Sequence, residues 1–85
     1  MIYYLMLPGD TEEDCVQDTN ILGEDNGFGV FWANTGLKAL DKITATRPDL
    51  LEHVTIINER KKKFTVEQFV DAISKLKVRL NYVKN

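Results

Sequence analysis

The stretch His53-Val54-Thr55-Ile56-Ile57-Asn58-Glu59-Arg60-Lys61-Lys62-Lys63-Phe64-Thr65-Val66-Glu67-Gln68-Phe69-Val70-Asp71-Ala72-Ile73-Ser74-Lys75-Leu76 decides the fold class. Residues 53–57 are rich in β-branched side chains and well bounded, which predicts a strand. Thr65 followed three positions later by Gln68 has the form of a capping box. Phe64 and Phe69 stand at the N′ and N4 positions of a hydrophobic staple. Val66, Phe69, Val70, Ile73 and Leu76 then recur as one apolar stripe, the mark of a helix laid on a core. Strand, basic turn and helix therefore follow one another within this stretch. Beyond it, Val78, Leu80 and Tyr82 alternate with Arg79 and Asn81, a pattern open to more helix or to a terminal strand.

Working back toward the start, Asn34 and Thr35 offer N-caps for a helix over roughly 36–46, with Leu37, Leu40 and Ile43 at helical spacing. Pro48 ends that helix or opens a short turn through Leu51. Residues 28–33 (Phe28-Gly29-Val30-Phe31-Trp32-Ala33) read as a buried strand, and Gly23-Glu24-Asp25-Asn26-Gly27 as the turn before it. Residues 2–7 read as a first strand closed by Pro8-Gly9. Asp10 stands where an N-cap belongs, with Glu13 completing a capping box for a short helix near 11–18. The order β, short α, β, α, β, α predicts an α+β domain: a small three- or four-stranded sheet with two to three helices packed on it. At 85 residues and 9.8 kDa, one compact domain spanning 1–85 accounts for the chain. So small a core leaves stability marginal, and a partner chain or a second copy would add to it.

Charge is distributed very unevenly. Residues 1–37 carry seven acids (Asp10, Glu12, Glu13, Asp14, Asp18, Glu24, Asp25) and no Lys or Arg, for a net −7. Residues 38–85 carry all 11 basic residues against six acids, for +5, although the whole chain sums to only −2. From residue 60 onward the count is eight basic against two acidic. Such asymmetry suits an electropositive face that meets nucleic acid, or opposite poles that attract between copies. The candidate RNA-binding residues are Arg60, Lys61, Lys62 and Lys63 in the basic turn, with Lys75, Lys77, Arg79 and Lys84 beyond it. Clustered cations neutralise phosphates and release counterions, which gives salt-dependent binding with little sequence preference. Bases would stack on whichever of Tyr3, Tyr4, Phe31, Trp32 and Tyr82 face outward.

Other chemistries lack their residues. Asp18-Thr19-Asn20-Ile21-Leu22-Gly23 imitates the opening of a calcium loop, but Leu22 replaces the third ligand and Gly29 stands where the bidentate Glu belongs. One Cys and one His cannot supply a zinc site, so no metal and no cofactor is expected. Cys15 and His53 are the only thiol–imidazole pair available, and Cys15 lies among acids that disfavour a thiolate. Gly27-Phe28-Gly29 begins a phosphate-binding glycine pattern that Trp32 interrupts. A non-enzymatic binding protein is the leading expectation, ahead of a protein-interaction module whose acidic half meets a basic partner. A carboxylate-based hydrolase or transferase comes last. No apolar run approaches a membrane span, and the start lacks the basic flank of a signal peptide, so a cytoplasmic setting is expected.

Two resemblances accompany these readings. Gly27-Phe28-Gly29-Val30-Phe31 resembles part of the RNP1 motif of the RRM, and Ile2-Tyr3-Tyr4-Leu5 is similar to its RNP2 strand. Asn26 replaces the basic lead residue, and the order Val30-Phe31 is inverted, which moves the second aromatic to the opposite sheet face. The whole chain, opening Met1-Ile2-Tyr3-Tyr4-Leu5-Met6-Leu7 and without a catalytic motif, resembles the small early proteins of T-even bacteriophages. Its length and basic C-terminal half are similar to an RNA-associated toxin inhibitor of that group. The resemblance implies a non-enzymatic inhibitor in the infected bacterial cytoplasm, with RNA and a toxin endoribonuclease as partners.

Overall fold

A computed structural model describes residues 1–80. Its elements are β1 (Ile2–Met6), α1 (Glu12–Cys15), β2 (Ile21–Asp25), β3 (Val30–Ala33), α2 (Thr35–Thr46), β4 (Thr55–Asn58), β5 (Lys63–Thr65), α3 (Val66–Ile73) and β6 (Lys77–Leu80). Short 3-10 segments cover Asp18–Asn20 and Pro48–His53. The fold is α+β, but the expectation of three or four strands is wrong: six strands form one mixed sheet in the order β5-β4-β1-β2-β3-β6. All neighbours are antiparallel except β3 and β6, which run parallel.

The additional strands come from segments read as turn, loop or open tail. The Gly23-Glu24-Asp25 part of β2 is poor in β-formers, yet it is paired on both sides, Tyr3 opposite Gly23 and Gly23 opposite Ala33. Glycine is required at position 23, because a Cβ there would sit 2.4 Å from the Phe31 ring. β5 exists because the chain folds back at Asn58 and sets Phe64 opposite Ile56. The alternating tail resolves as strand over Lys77–Leu80. Position 81 onward, including Tyr82 and Lys84, lies outside the described residues.

Alternation along the strands divides the sheet into two faces. One carries Leu5, Leu22, Phe31, Ala33 and Ile56 against Leu40 of α2 and Phe69 of α3, the main core. Tyr3 joins it at ring-centroid distances of 6.1 Å from Phe31, 5.9 Å from Phe64 and 5.5 Å from Phe69. Gly36 lets α2 lie directly on β2, since a Cβ there would meet the Ile21 carbonyl at 2.4 Å. The other face carries Tyr4 and Ile57 against Cys15 of α1, with Ile2, Met6 and Ile21 at the margin.

The capping box of α3 is formed as read: Gln68 N donates to Thr65 Oγ1 and Thr65 N donates to Gln68 Oε1, each at 3.0 Å. Because β5 and β6 are opposite edges, residues 66–76 carry the chain across the whole sheet, with Phe69 buried beneath them. α1 departs from expectation. It is one turn long, and its cap is Thr11, which accepts from Asp14 N, while Asp10 accepts from Leu7 N instead.

Candidate nucleic-acid interface

Strand direction decides where the cations go. Asn58 N donates to Lys62 O and Glu59 N to Ile2 O, so the β4–β5 turn lies beside the start of β1. Asp25 N donates to Met1 O and Lys77 N to Gly29 O, which brings the β2–β3 turn and the start of β6 to the same end of the sheet. Arg60, Lys61 and Lys62 therefore share one end with Lys77, and with Lys75 just before it. Four strand spacings, roughly 19 Å, separate β4 from β6 along that end. Between them projects Phe28, 90% exposed on its turn. Two glycines with positive φ, Gly27 and Gly29, flank Phe28. The Asn26 side chain accepts from Phe28 N at 2.7 Å and further shapes that turn.

The basic turn has a defined internal support. Asn58, only 7% exposed, accepts through Oδ1 from Arg60 N at 2.9 Å and Lys62 N at 3.0 Å. Lys61 N donates to Asn58 O, and Lys61 takes the left-handed conformation with φ 63. That region suits glycine or asparagine, and a lysine there is held by its neighbours. Among the described residues, Arg60, Lys61, Lys62 and Lys77 face no carboxylate within salt-bridge reach, while Lys75 lies 3.9 Å from Asp71. Lys62 sits over the Phe64 ring at 5.3 Å.

The other sequence candidates separate from this group. Lys63 is on the α1 face and pairs with Glu12 at 3.1 Å, tying the hairpin to α1. Arg79 is opposite Trp32 across the β3–β6 pair, its guanidinium 5.5 Å from the indole. Lys84 is beyond the described residues. Of the aromatics, Phe31 and Tyr4 are buried and Tyr3 packs in the core; Trp32 is 39% exposed on the face opposite α2 and α3. The RNP1-like segment accordingly splits, with Phe28 in a turn and Phe31 beneath the helices.

No family model, curated protein or solved structure matches the chain.

Elsewhere the geometry gives reactive chemistry little. Cys15 is fully buried and donates through Sγ to Glu12 O at 3.2 Å. Burial, and then the Asp10 carboxylate, push its thiol above the ordinary value. His53 is exposed, its Nε2 3.6 Å from Glu52. Among the described residues, no three His, Cys, Asp or Glu side chains are grouped to hold a metal ion, and no helix is long and apolar enough to cross a membrane. A groove of about 830 Å³ runs along β5 and α3, with Leu51, Val54, Phe64, Val66 and Val70 in its wall.

Proposed function

We propose that this protein binds RNA through the basic end of its sheet and acts by occupancy, covering RNA or an RNA-processing partner without transforming either. The observation that carries the reading is the meeting of Arg60, Lys61 and Lys62 with Lys75 and Lys77 at one end, from segments on opposite sides of the sheet. Their spread of roughly 19 Å suits an extended strand of phosphates better than one anion. Phe28 between them offers a ring to a base. The resemblance to phage early proteins adds a partner class, a toxin endoribonuclease whose RNA this protein would share or mask in a bacterial cytoplasm.

The test is a salt titration of single-stranded RNA binding by the parent and by a variant with Arg60, Lys61, Lys62, Lys75 and Lys77 changed to Gln. Each lost phosphate contact flattens the slope of log affinity against log salt by about 0.7, so five contacts remove about 3.5. The loss should be similar for unrelated sequences. Equal binding by the two proteins across salt, or no binding by the parent, rejects the proposal. In the second case the acidic N-terminal half becomes the working surface, with Glu12, Glu13 and Asp14 in the first turn of α1.

A further inference from the structure

One row of side chains runs across the sheet on the face that α2 and α3 leave open. Cross-strand register sets Ile2 opposite Glu24, Glu24 opposite Trp32, and Trp32 opposite Arg79. α1 packs on β1, and no described helix lies over β2, β3 and β6 on this side, where Glu24, Trp32, Lys77 and Arg79 are all exposed. A small cavity of about 100 Å³ opens beside the indole, walled by Ile2, Ile21, Gly23, Glu24 and Asn34. The Glu24 carboxylate has no hydrogen-bond or ion-pair partner among the described residues.

We propose that this row is a base-binding site for single-stranded RNA in which Trp32 stacks a guanine, Glu24 reads its Watson–Crick edge, and Arg79 with Lys77 holds the adjoining phosphate. The proposal rests on the RNA-binding reading and specifies what the RNA presents. An indole is a stacking surface for any base, so Trp32 alone gives affinity without selectivity. The carboxylate supplies the selectivity. It only accepts hydrogen bonds, and guanine alone presents two adjacent donors, N1–H and the 2-amino group, to its two oxygens. Adenine and cytosine set a ring nitrogen acceptor beside their amino group, and uracil flanks its N3–H with two carbonyls, so each would aim a lone pair at the carboxylate. The cations proposed to hold the phosphate are placed consistently, because Lys77 lies two residues before Arg79 on the same face and also opens toward the basic end.

Trp32 is the chain's single tryptophan, so its fluorescence reports the site directly. The probes are uridine heptamers with a central guanine, inosine, adenine or uracil, titrated at low salt by tryptophan emission and by anisotropy of a 5′ label. The guanine heptamer should quench the emission and bind at least about 10-fold more tightly than the adenine or uracil heptamers. Inosine, which keeps N1–H and lacks the 2-amino group, should fall between them. Glu24→Gln should abolish the guanine preference while quenching persists, and Trp32→Leu should weaken the guanine heptamer by about 5- to 150-fold by anisotropy. Heptamer binding without quenching overturns the stacking site and leaves the RNA-binding reading intact. Quenching with equal affinity for guanine and adenine, or a preference unchanged in Glu24→Gln, overturns the role of the carboxylate. Binding of no heptamer at all overturns this site and the RNA-binding reading together. An emission shift that follows protein concentration alone marks the face as an interface between two copies and overturns the proposal.

Discussion

The two ends of the sheet use their charges differently. Where β1 finishes, and on the face that α1 covers, acids take part in local structure: Asp10 accepts from Leu7 N, Glu12 pairs with Lys63, and Glu12, Glu13 and Asp14 occupy the first turn of α1, where a helix dipole favours them. At the opposite end, the backbone and the buried Asn58 hold the turn, and among the described residues Arg60, Lys61, Lys62 and Lys77 have no carboxylate within salt-bridge reach. At this end too acids serve local structure, Glu59 accepting from Ile2 N and Asp25 from Gly27 N, while these four cations are displayed. A displayed charge costs like-charge repulsion at every pH where lysine is protonated, and that cost makes sense when an anion relieves it.

The largest expected effect falls on the helix that delivers half of the basic end. Phe69 is buried against Tyr3 and Phe31 and anchors α3 as the chain crosses to β6. Phe69→Ala should lower stability by about 3–5 kcal/mol, read from the denaturant midpoint. Lys75 and Lys77 would lose their position with it. An unchanged midpoint would mean that α3 does not set the second half of the basic end.

Next in size is the turn's own support. Asn58→Ala leaves the Arg60 and Lys62 amides without their acceptor and should cost about 1–2 kcal/mol. Those two amides should exchange with solvent much faster, while the amides of α1 at the other end stay protected. Asn58→Asp keeps an acceptor and should preserve the turn. Uniform loss of protection at both ends would show that they do not fold as separable local structures.

How much of this was legible beforehand depends on which signals are local. The α3 capping box and staple needed only residues 64–69, and the structure forms the box as the spacing predicts. β2 was hidden because Gly23, Glu24 and Asp25 carry turn chemistry, and only pairing with two neighbours makes them a strand. β5 was hidden because Phe64 and Thr65 signal a helix start, and the same residues also close a hairpin. The cations of the site were visible as a run, but their grouping was not. Lys63 leaves the group by alternation, and Lys75 and Lys77 join it because β6 runs parallel to β3. Trp32 is the sharper case. Alternation puts Phe31 and Trp32 on opposite faces, but which face the helices would cover is a tertiary fact.

Alkali tests both ends at once. Burial pushes the Tyr3 phenol upward, with the Asp25 carboxylate adding to it, and burial pushes the Cys15 thiol upward as well. Each group holds its proton more firmly folded than unfolded. The contribution of these two groups should therefore be level below about pH 8.5 and decline above it, first through the thiol and then through the phenol. Cys15→Ala should remove the earlier part of the decline and Tyr3→Phe the later part. A stability profile flat to pH 11 in the parent would contradict both assignments.

The smallest effect separates charge from backbone at a single residue. Lys61 has φ 63, a conformation that costs an L residue with a Cβ and costs glycine nothing. Lys61→Gly should therefore raise stability by about 1 kcal/mol, while removing one cation should flatten the salt slope of RNA binding by about 0.7. Lys61→Asn, which also tolerates the left-handed region, should lose the same charge with a smaller gain in stability. These opposite signs follow from the contrast between the two ends. If lysine were there for the fold, glycine would lower stability and leave RNA binding untouched. If lysine is there to be displayed, the same substitution makes a more stable protein that binds RNA more weakly. A Lys61→Gly protein that is both more stable and unchanged in its salt slope would place Lys61 outside the interface and leave Arg60, Lys62, Lys75 and Lys77 to hold the strand.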